Sequence, residues 1–90
     1  MNPTRARRRI RELARAGAWT MTAHAEKRMV ERDAEPEDVY RVLTAADACR
    51  AVRPGCWRLD GGDRLAEPLS LLVELRSGVL VMTLFRGDEP

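Results

Sequence analysis

Long apolar runs are missing from this 90-residue chain. Nothing approaches the roughly 20 consecutive apolar residues that crossing a bilayer requires. The N-terminus is basic, but no apolar stretch of about 7–15 residues follows it as a secretory signal demands, so a cytoplasmic protein is expected. Cysteine is scarce too. Cys49 and Cys56 are the two present, which is no disulfide framework, and no CxxC or His-rich pair accompanies them to build a zinc site. Free thiols, buried or half-buried, are therefore expected, and nothing implies a metal or a cofactor. Internal repeats, low-complexity tracts and linkers are also lacking, and the length suits a single domain with a thin core. What is present is 44% hydrophobic residues in periodic array, which argues against intrinsic disorder.

Lysine occurs once against fifteen arginines, and the net charge of +2 conceals an uneven distribution. Residues 1–32 hold nine basic and three acidic side chains, whereas residues 33–90 hold seven basic and eleven acidic ones. A basic first third attracts phosphate or an acidic partner through its field. Some of those arginines serve only solubility.

Residues 4–16 read as a helix with Thr4 as N-cap and Gly17 as its stop. Its apolar stripe is narrow (Ala6, Ile10, Leu13 and Ala14), so weak docking and mobility are expected, and partner binding is an equal reading. Trp19–Met21 reads as a short extended link. Thr22 then caps a second helix near 23–33, and at 100° per residue His24, Arg28, Glu31 and Arg32 share a face while Ala25 and Met29 point inward. Pro36 sits in the first turn of a third helix, near 36–46, with Glu37 and Asp38 at its positive end and Val39, Val42, Leu43 and Ala46 as core. Strands are expected at 48–53 and from Cys56 to Asp60, before a Gly61-Gly62 turn. The clearest signal is the hairpin Leu69–Arg76 and Val79–Arg86 around Ser77-Gly78, a two-residue loop. With that register Leu71, Val73 and Leu75 share an apolar face with Leu80, Met82 and Leu84. Ser70, Glu74, Thr83 and Phe85 line the other face, and Arg86 ends the first. Helices before an antiparallel sheet make an α+β layer arrangement.

His24 is the single histidine, and histidine is the side chain type that titrates near neutrality without perturbation. It suits proton transfer at a ribose hydroxyl or a leaving 5′-oxygen. Arg28 and Arg32, one and two turns on, can each hold a phosphate, because an arginine fork matches its oxygens and stays charged. Histidine plus arginines is the kit for metal-free RNA cleavage, in which the 2′-hydroxyl attacks phosphorus and cations stabilise the developing charge. Each residue also has a plainer reading: His24 as a cap or packing residue, and Arg28 as a partner of Glu31 or Glu35. Arg86 either snorkels into water or adds charge to the phosphate. Glu74 is either a general base or a solvent-side strand residue. Trp57 stacks on a base or joins the core, while Arg58 and Arg64 meet phosphate or stand exposed at the glycine turn. Tyr40 is read as packing at the third helix's edge.

The run HAEKRMVERDAEPEDVYRVL, residues 24–43, resembles the opening of a family of small bacterial domains patterned His-Ala-x-x-Arg-Met-x-x-Arg-Gly-Ile-Ser-x-x-Asp-Val. The closing LSLLVELRSGVLVMTLFRGDEP is similar to that family's terminal hairpin, and the likeness spans roughly residues 20–88. The leading helix followed by AGAW looks like the start of MqsR-type toxins, and the family is related to the BrnT and MqsR toxins of the RelE-like ribonuclease superfamily. The resemblance implies a basic leading helix (1–17) before a toxin core (18–90) with a curved antiparallel sheet against two or three helices. It also implies a type II toxin, a metal-independent messenger-RNA endoribonuclease neutralised by a cognate antitoxin, touching DNA only through that complex. On this pattern His24, Arg28 and Arg32 are the motif histidine and arginines, and Arg86 is the basic residue closing the last strand. Two positions depart from it. Asp33 stands for a glycine, which a left-handed turn tolerates, and Phe85 for a common tyrosine. The competing expectation is a non-catalytic protein- or nucleic-acid-binding module of the same fold.

Overall fold

A computed structural model describes residues 1–87; residues 88–90, the end of the resembling hairpin, lie outside the described residues. The chain runs α1 (Pro3–Arg15), β1 (Trp19–Met21), α2 (Ala23–Glu31), α3 (Pro36–Ala45), β2 (Ala48–Arg53), β3 (Cys56–Gly62), β4 (Pro68–Leu75) and β5 (Val79–Phe85). The strands form one sheet in the order β1-β5-β4-β3-β2, with the three helices packed on one face, an α+β architecture. Strands β2 to β5 are antiparallel as expected, but β1 pairs with β5 in parallel. The extended link is thus a strand and the sheet is mixed. Both strands of that pair start from one point, where Val79 N donates to Ala18 O at 2.9 Å.

Gly78 permits this approach: a Cβ there would lie 2.9 Å from the Ala18 carbonyl oxygen. Alanine at this position must push β1 away from β5, at about 1–3 kcal/mol for an overpacked contact. Denaturant unfolding should show that loss for Gly78→Ala, and hydrogen exchange should show it first at the Val79 amide.

Helix α1 begins one residue earlier than expected. Asn2, not Thr4, is its cap, accepting from Arg5 N at 2.9 Å, with Pro3 in the first turn. Its narrow stripe docks fully, contrary to the expectation of weak docking: Ala6 and Ile10 are 0% exposed and Leu13 and Ala14 are buried. The two alanines let the helix approach α3 and the sheet closely, so a thin seam suffices. In α3 the expected stripe of Val39, Val42, Leu43 and Ala46 is buried throughout. Glu35 and Asp38 form a reciprocal capping box at its start, which satisfies backbone donors that would otherwise lack partners.

The terminal hairpin is present but its register differs near the loop. Leu75 faces Val79 and Val73 faces Val81, so Arg76, Ser77 and Gly78 form a three-residue loop. A bulge then inserts Met82, restoring the expected pairs Leu72↔Thr83, Leu71↔Leu84 and Ser70↔Phe85. A bulge moves the following residues to the other face. Hence Val79 and Val81 are core, not Leu80 and Met82, which are half-buried, while Leu84 is core as expected. Gly61-Gly62 is no turn either; β3 continues through both. A Cβ on Gly61 would touch Val42 and Ala46 at 3.5 Å, so the glycine gives α3 room to lie on the strand. The chain reverses afterwards, through Asp63 to Glu67, with Ala66 at φ 63°.

Candidate nucleic-acid interface

Alternation along the strands sends one set of side chains to the helices and the other to the opposite face. On that opposite face the register aligns three cross-strand rows: Arg50–Arg58–Leu72–Thr83, Asp60–Ser70–Phe85, and Cys56–Glu74–Leu80. Ser70, Glu74, Thr83 and Phe85 therefore share the non-core face, as alternation predicted. The rows are linked by polar contacts. Arg58 Nε donates to Asp60 Oδ1 at 2.9 Å and Ser70 Oγ donates to the same oxygen at 2.6 Å. The Arg58 guanidinium carbon lies 4.7 Å over the centre of the Phe85 ring, a cation–π contact. Burial alone would raise the Asp60 carboxyl, but the hydrogen bonds from Ser70 and Arg58 and the charges of Arg58 and Arg50 hold it below its ordinary value.

Helix α2 packs on the core face and runs along the edge of β5. Strand β1 ends at Met21, and past that point the edge carbonyls of β5 need other donors. Thr22 Oγ1 accepts from Ala25 N at 3.0 Å to cap α2 and donates to Met82 O at 2.9 Å. Arg28 Nε donates to Leu84 O at 3.1 Å. Ala25 is buried and Met29 packs against the core, so the inward face is as expected, and Asp33 takes the left-handed conformation at φ 54°. His24 is exposed in the first turn, one turn before Arg28. The ridge His24–Arg28–Arg32 thus runs beside β5, with Arg28 anchored at the residue preceding Phe85.

Of the remaining expected site residues, Arg86 adjoins this corner but turns away from the sheet face, and the others are bound elsewhere. Arg86 does end the core face of β5 and turns to the helices. There Nε donates to Arg32 O at 2.9 Å and Nη1 pairs with the buried Asp63 carboxylate at 2.7 Å. Arg64 lies in the β3–β4 turn, its Nε 2.8 Å from Asp38 Oδ1, to which its own backbone N–H also donates. Trp57 is buried in the core cluster. Glu74 sits on the non-core face, ion-paired with Arg76 at the end of β4 remote from Phe85. Tyr40 lies on α3 with its ring tilted against that of Trp19, centroids 6.3 Å apart. Cys49 is half-buried and Cys56 buried, both free. Sequence reasoning missed Arg50, Asp60 and the Arg58–Phe85 stack. The alternation of Arg58 and Asp60 within β3 was the signal available for them.

Asp38 is the most perturbed acid. Burial pushes its carboxyl up, but hydrogen bonds from Arg64 and Glu35 and the Arg64 charge outweigh that and bring it from 3.8 to about 2. A depressed folded-state pKa contributes stability that is present above the unfolded value and lost as pH falls through the folded one. Acid titration followed by circular dichroism should therefore show the fold weakening between about pH 4 and 2, a dependence that Asp38→Asn should flatten. Asp60 and Asp63 are shifted the same way and add to the trend.

Among the described residues no group of three or more His, Cys, Asp or Glu side chains is arranged to hold a metal ion, and no helix is long and apolar enough to cross a membrane. Comparison of the chain with protein-family models, with curated proteins and with solved structures finds no match.

Proposed function

We propose that the protein is a toxin-type, metal-independent endoribonuclease whose RNA lies across the Phe85 corner of the non-core sheet face. The observation that carries this reading is the Arg58 guanidinium over the Phe85 ring, with Arg28 of the α2 ridge bonded to the carbonyl of Leu84, the residue before Phe85. An unpaired base stacks on a guanidinium plane or an aromatic ring, and arginines hold the adjoining phosphates. In the reaction the 2′-hydroxyl attacks phosphorus and the 5′-oxygen leaves. His24 moves the proton between those two oxygens, and the fixed charges of Arg28 and Arg58 stabilise the phosphorane. The products are a 2′,3′-cyclic phosphate and a 5′-hydroxyl. A cognate antitoxin that covers this corner belongs to the same reading.

Purified protein incubated with messenger RNA in EDTA tests it. Cleavage with cyclic-phosphate ends is expected, and Arg58→Gln, which removes charge from a half-exposed site, should slow it about 10- to 100-fold. Intact RNA with the wild type would sink the reading. One observation favours a second reading, a non-catalytic binding module. Arg64 and Arg86 hold their charge in ion pairs away from the sheet face. Arg58, although paired with Asp60, lies on that face beside Arg50 and, with Arg28 at the edge of β5, makes a cationic docking surface for RNA or protein. Retained RNA affinity without cleavage would select it.

A further inference from the structure

A second region of the molecule combines apolar walls with converging positive charge. A cavity of about 620 Å³ opens between the start of α1, the β2–β3 turn and the end of β4. It lies at the end of β3 and β4 opposite the Asp60–Ser70–Phe85 row, so it is separate from the candidate RNA site. Its apolar walls include Val52, Trp57 and Leu75, and Arg9, Arg53 and Arg76 surround its mouth. Among the described residues no acidic side chain lines it. The register shift between Ala51 and Arg53 leaves Val52 without a partner in β3, and bulges of this kind re-aim a side chain. Here Val52 turns to the cavity with 51% of its surface exposed, an apolar residue kept in contact with solvent next to a cation.

The arginines are available for an incoming anion. Arg53 has no ion pair among the described residues. Arg9 stands 3.6 Å from Glu12 with both side chains more than half exposed. Arg76 pairs with Glu74 but is 76% exposed itself. The Arg9–Glu12 pair is of the exposed kind that contributes little and exchanges readily, and Arg76 can meet an anion from its solvent side while it keeps the largely buried Glu74 as partner. The volume is in the range of small-ligand sites, which join apolar walls to a few polar groups that orient the ligand. Three permanent charges around one mouth match a compact polyanion. A peptide spreads its carboxylates along the backbone at about 3.3 Å per residue, and so meets them less well than a phosphate whose oxygens suit the arginine fork.

We propose that this cavity binds a nucleoside 5′-phosphate, its base and sugar against Val52, Leu75 and the one accessible edge of the otherwise buried Trp57, and its phosphates on Arg9, Arg53 and Arg76. The shared chemistry belongs equally to a free nucleotide and to the phosphorylated 5′ end of an RNA chain. None of these six residues serves the proposed cleavage reaction, so the two proposals fail independently.

Calorimetric titration of the full chain tests this with ADP, a 5′-phosphorylated tetraribonucleotide, adenosine, inorganic pyrophosphate and an Asp/Glu-rich peptide. ADP should bind, with adenosine and pyrophosphate each at least about tenfold weaker, since charge-assisted hydrogen bonds and apolar burial each supply that much. Arg9→Gln with Arg53→Gln should weaken ADP about tenfold or more at unchanged thermal stability, because both side chains are exposed. Val52→Glu, which places a negative charge in the mouth, should abolish binding. Tighter binding of the tetranucleotide than of ADP assigns the cavity to RNA ends when Arg9→Gln with Arg53→Gln abolishes that binding, since binding at the Phe85 corner would survive the substitutions, and the converse assigns it to free nucleotides. The proposal is overturned if neither binds, if pyrophosphate equals ADP, if the arginine variants bind normally, or if the acidic peptide binds more tightly than both.

Discussion

Arg86→Ala is expected to lose about 3 kcal/mol of folding stability, the lower end of the range for removing one partner of a buried ion pair. The Arg86 guanidinium joins three segments. Nη1 meets the Asp63 carboxylate at 2.7 Å, Nε donates to the Arg32 carbonyl at 2.9 Å, and Nη2 reaches the Asp33 carbonyl at 3.4 Å. It therefore ties the last strand to the end of α2 and to the β3–β4 turn. Asp63 is only 6% exposed in its side chain. Its other oxygen accepts from Leu65 N at 2.8 Å and Glu67 N at 2.9 Å, which shapes the turn. Burial raises the Asp63 carboxyl, but the Glu67, Arg86 and Leu65 hydrogen bonds and the Arg86 charge more than offset this and hold it below its ordinary value. Without Arg86 a carboxylate stays buried with its compensating charge gone. Arg86 is itself 24% exposed, so water reaches part of the gap and the loss stays at the low end.

Asp63→Ala should be similarly costly, because two backbone donors and a guanidinium lose their acceptor. The double variant should cost less than the sum of the two single ones, since each removes the same interaction. Urea unfolding of the four proteins measures the coupling. An Arg86→Ala protein within 0.5 kcal/mol of the parent, the ordinary range for surface substitutions, would deny the clamp. It would return Arg86 to the role expected from the sequence, as a cation offered to phosphate.

The parts of the fold that could be read from residues are those specified locally. Helix α3 has its proline, its acidic first turn and four apolar positions at helical spacing, so its place and inward face follow directly. The terminal hairpin was visible for the same reason, yet its register near the loop was not. The bulge at Met82 reflects how β5 meets β1 and α2, and alternation cannot report that. Gly61-Gly62 has the composition of a turn, and only the proximity of Val42 explains its place in a strand. The two acids most embedded in the structure, Asp38 and Asp63, were unreadable as such because Arg64 and Arg86 lie 26 and 23 positions away. The motif helix was legible as a polar ridge. That Arg28 covers an open carbonyl of β5 depends on β1 ending at Met21, which no spacing rule discloses.

His24→Ala is expected to lower the RNA cleavage rate about 10²- to 10⁴-fold, the contribution of a positioned acid–base group, while leaving the fold intact. His24 is exposed in the first turn of α2, and the cap of that helix is supplied by Thr22. Alanine is also the better helix former. Urea unfolding should therefore place the variant within about 0.5 kcal/mol of the parent, so a lost rate cannot be blamed on unfolding. The contrast with Arg86 is useful: that substitution lowers stability whatever the chemistry, whereas His24→Ala isolates it. His24→Gln, which hydrogen-bonds but does not carry protons near neutrality, should be as inactive as alanine if proton transfer is the role, and largely active if His24 only orients the RNA. A substrate with 2′-deoxyribose at the cleavage position should resist the wild type completely, since it lacks the attacking hydroxyl. Equal cleavage by wild type, His24→Ala and His24→Gln would remove the histidine from the mechanism. The α2 ridge would then be an edge cover for β5 that carries charge, with the Arg58–Phe85 stack as the nucleic-acid contact.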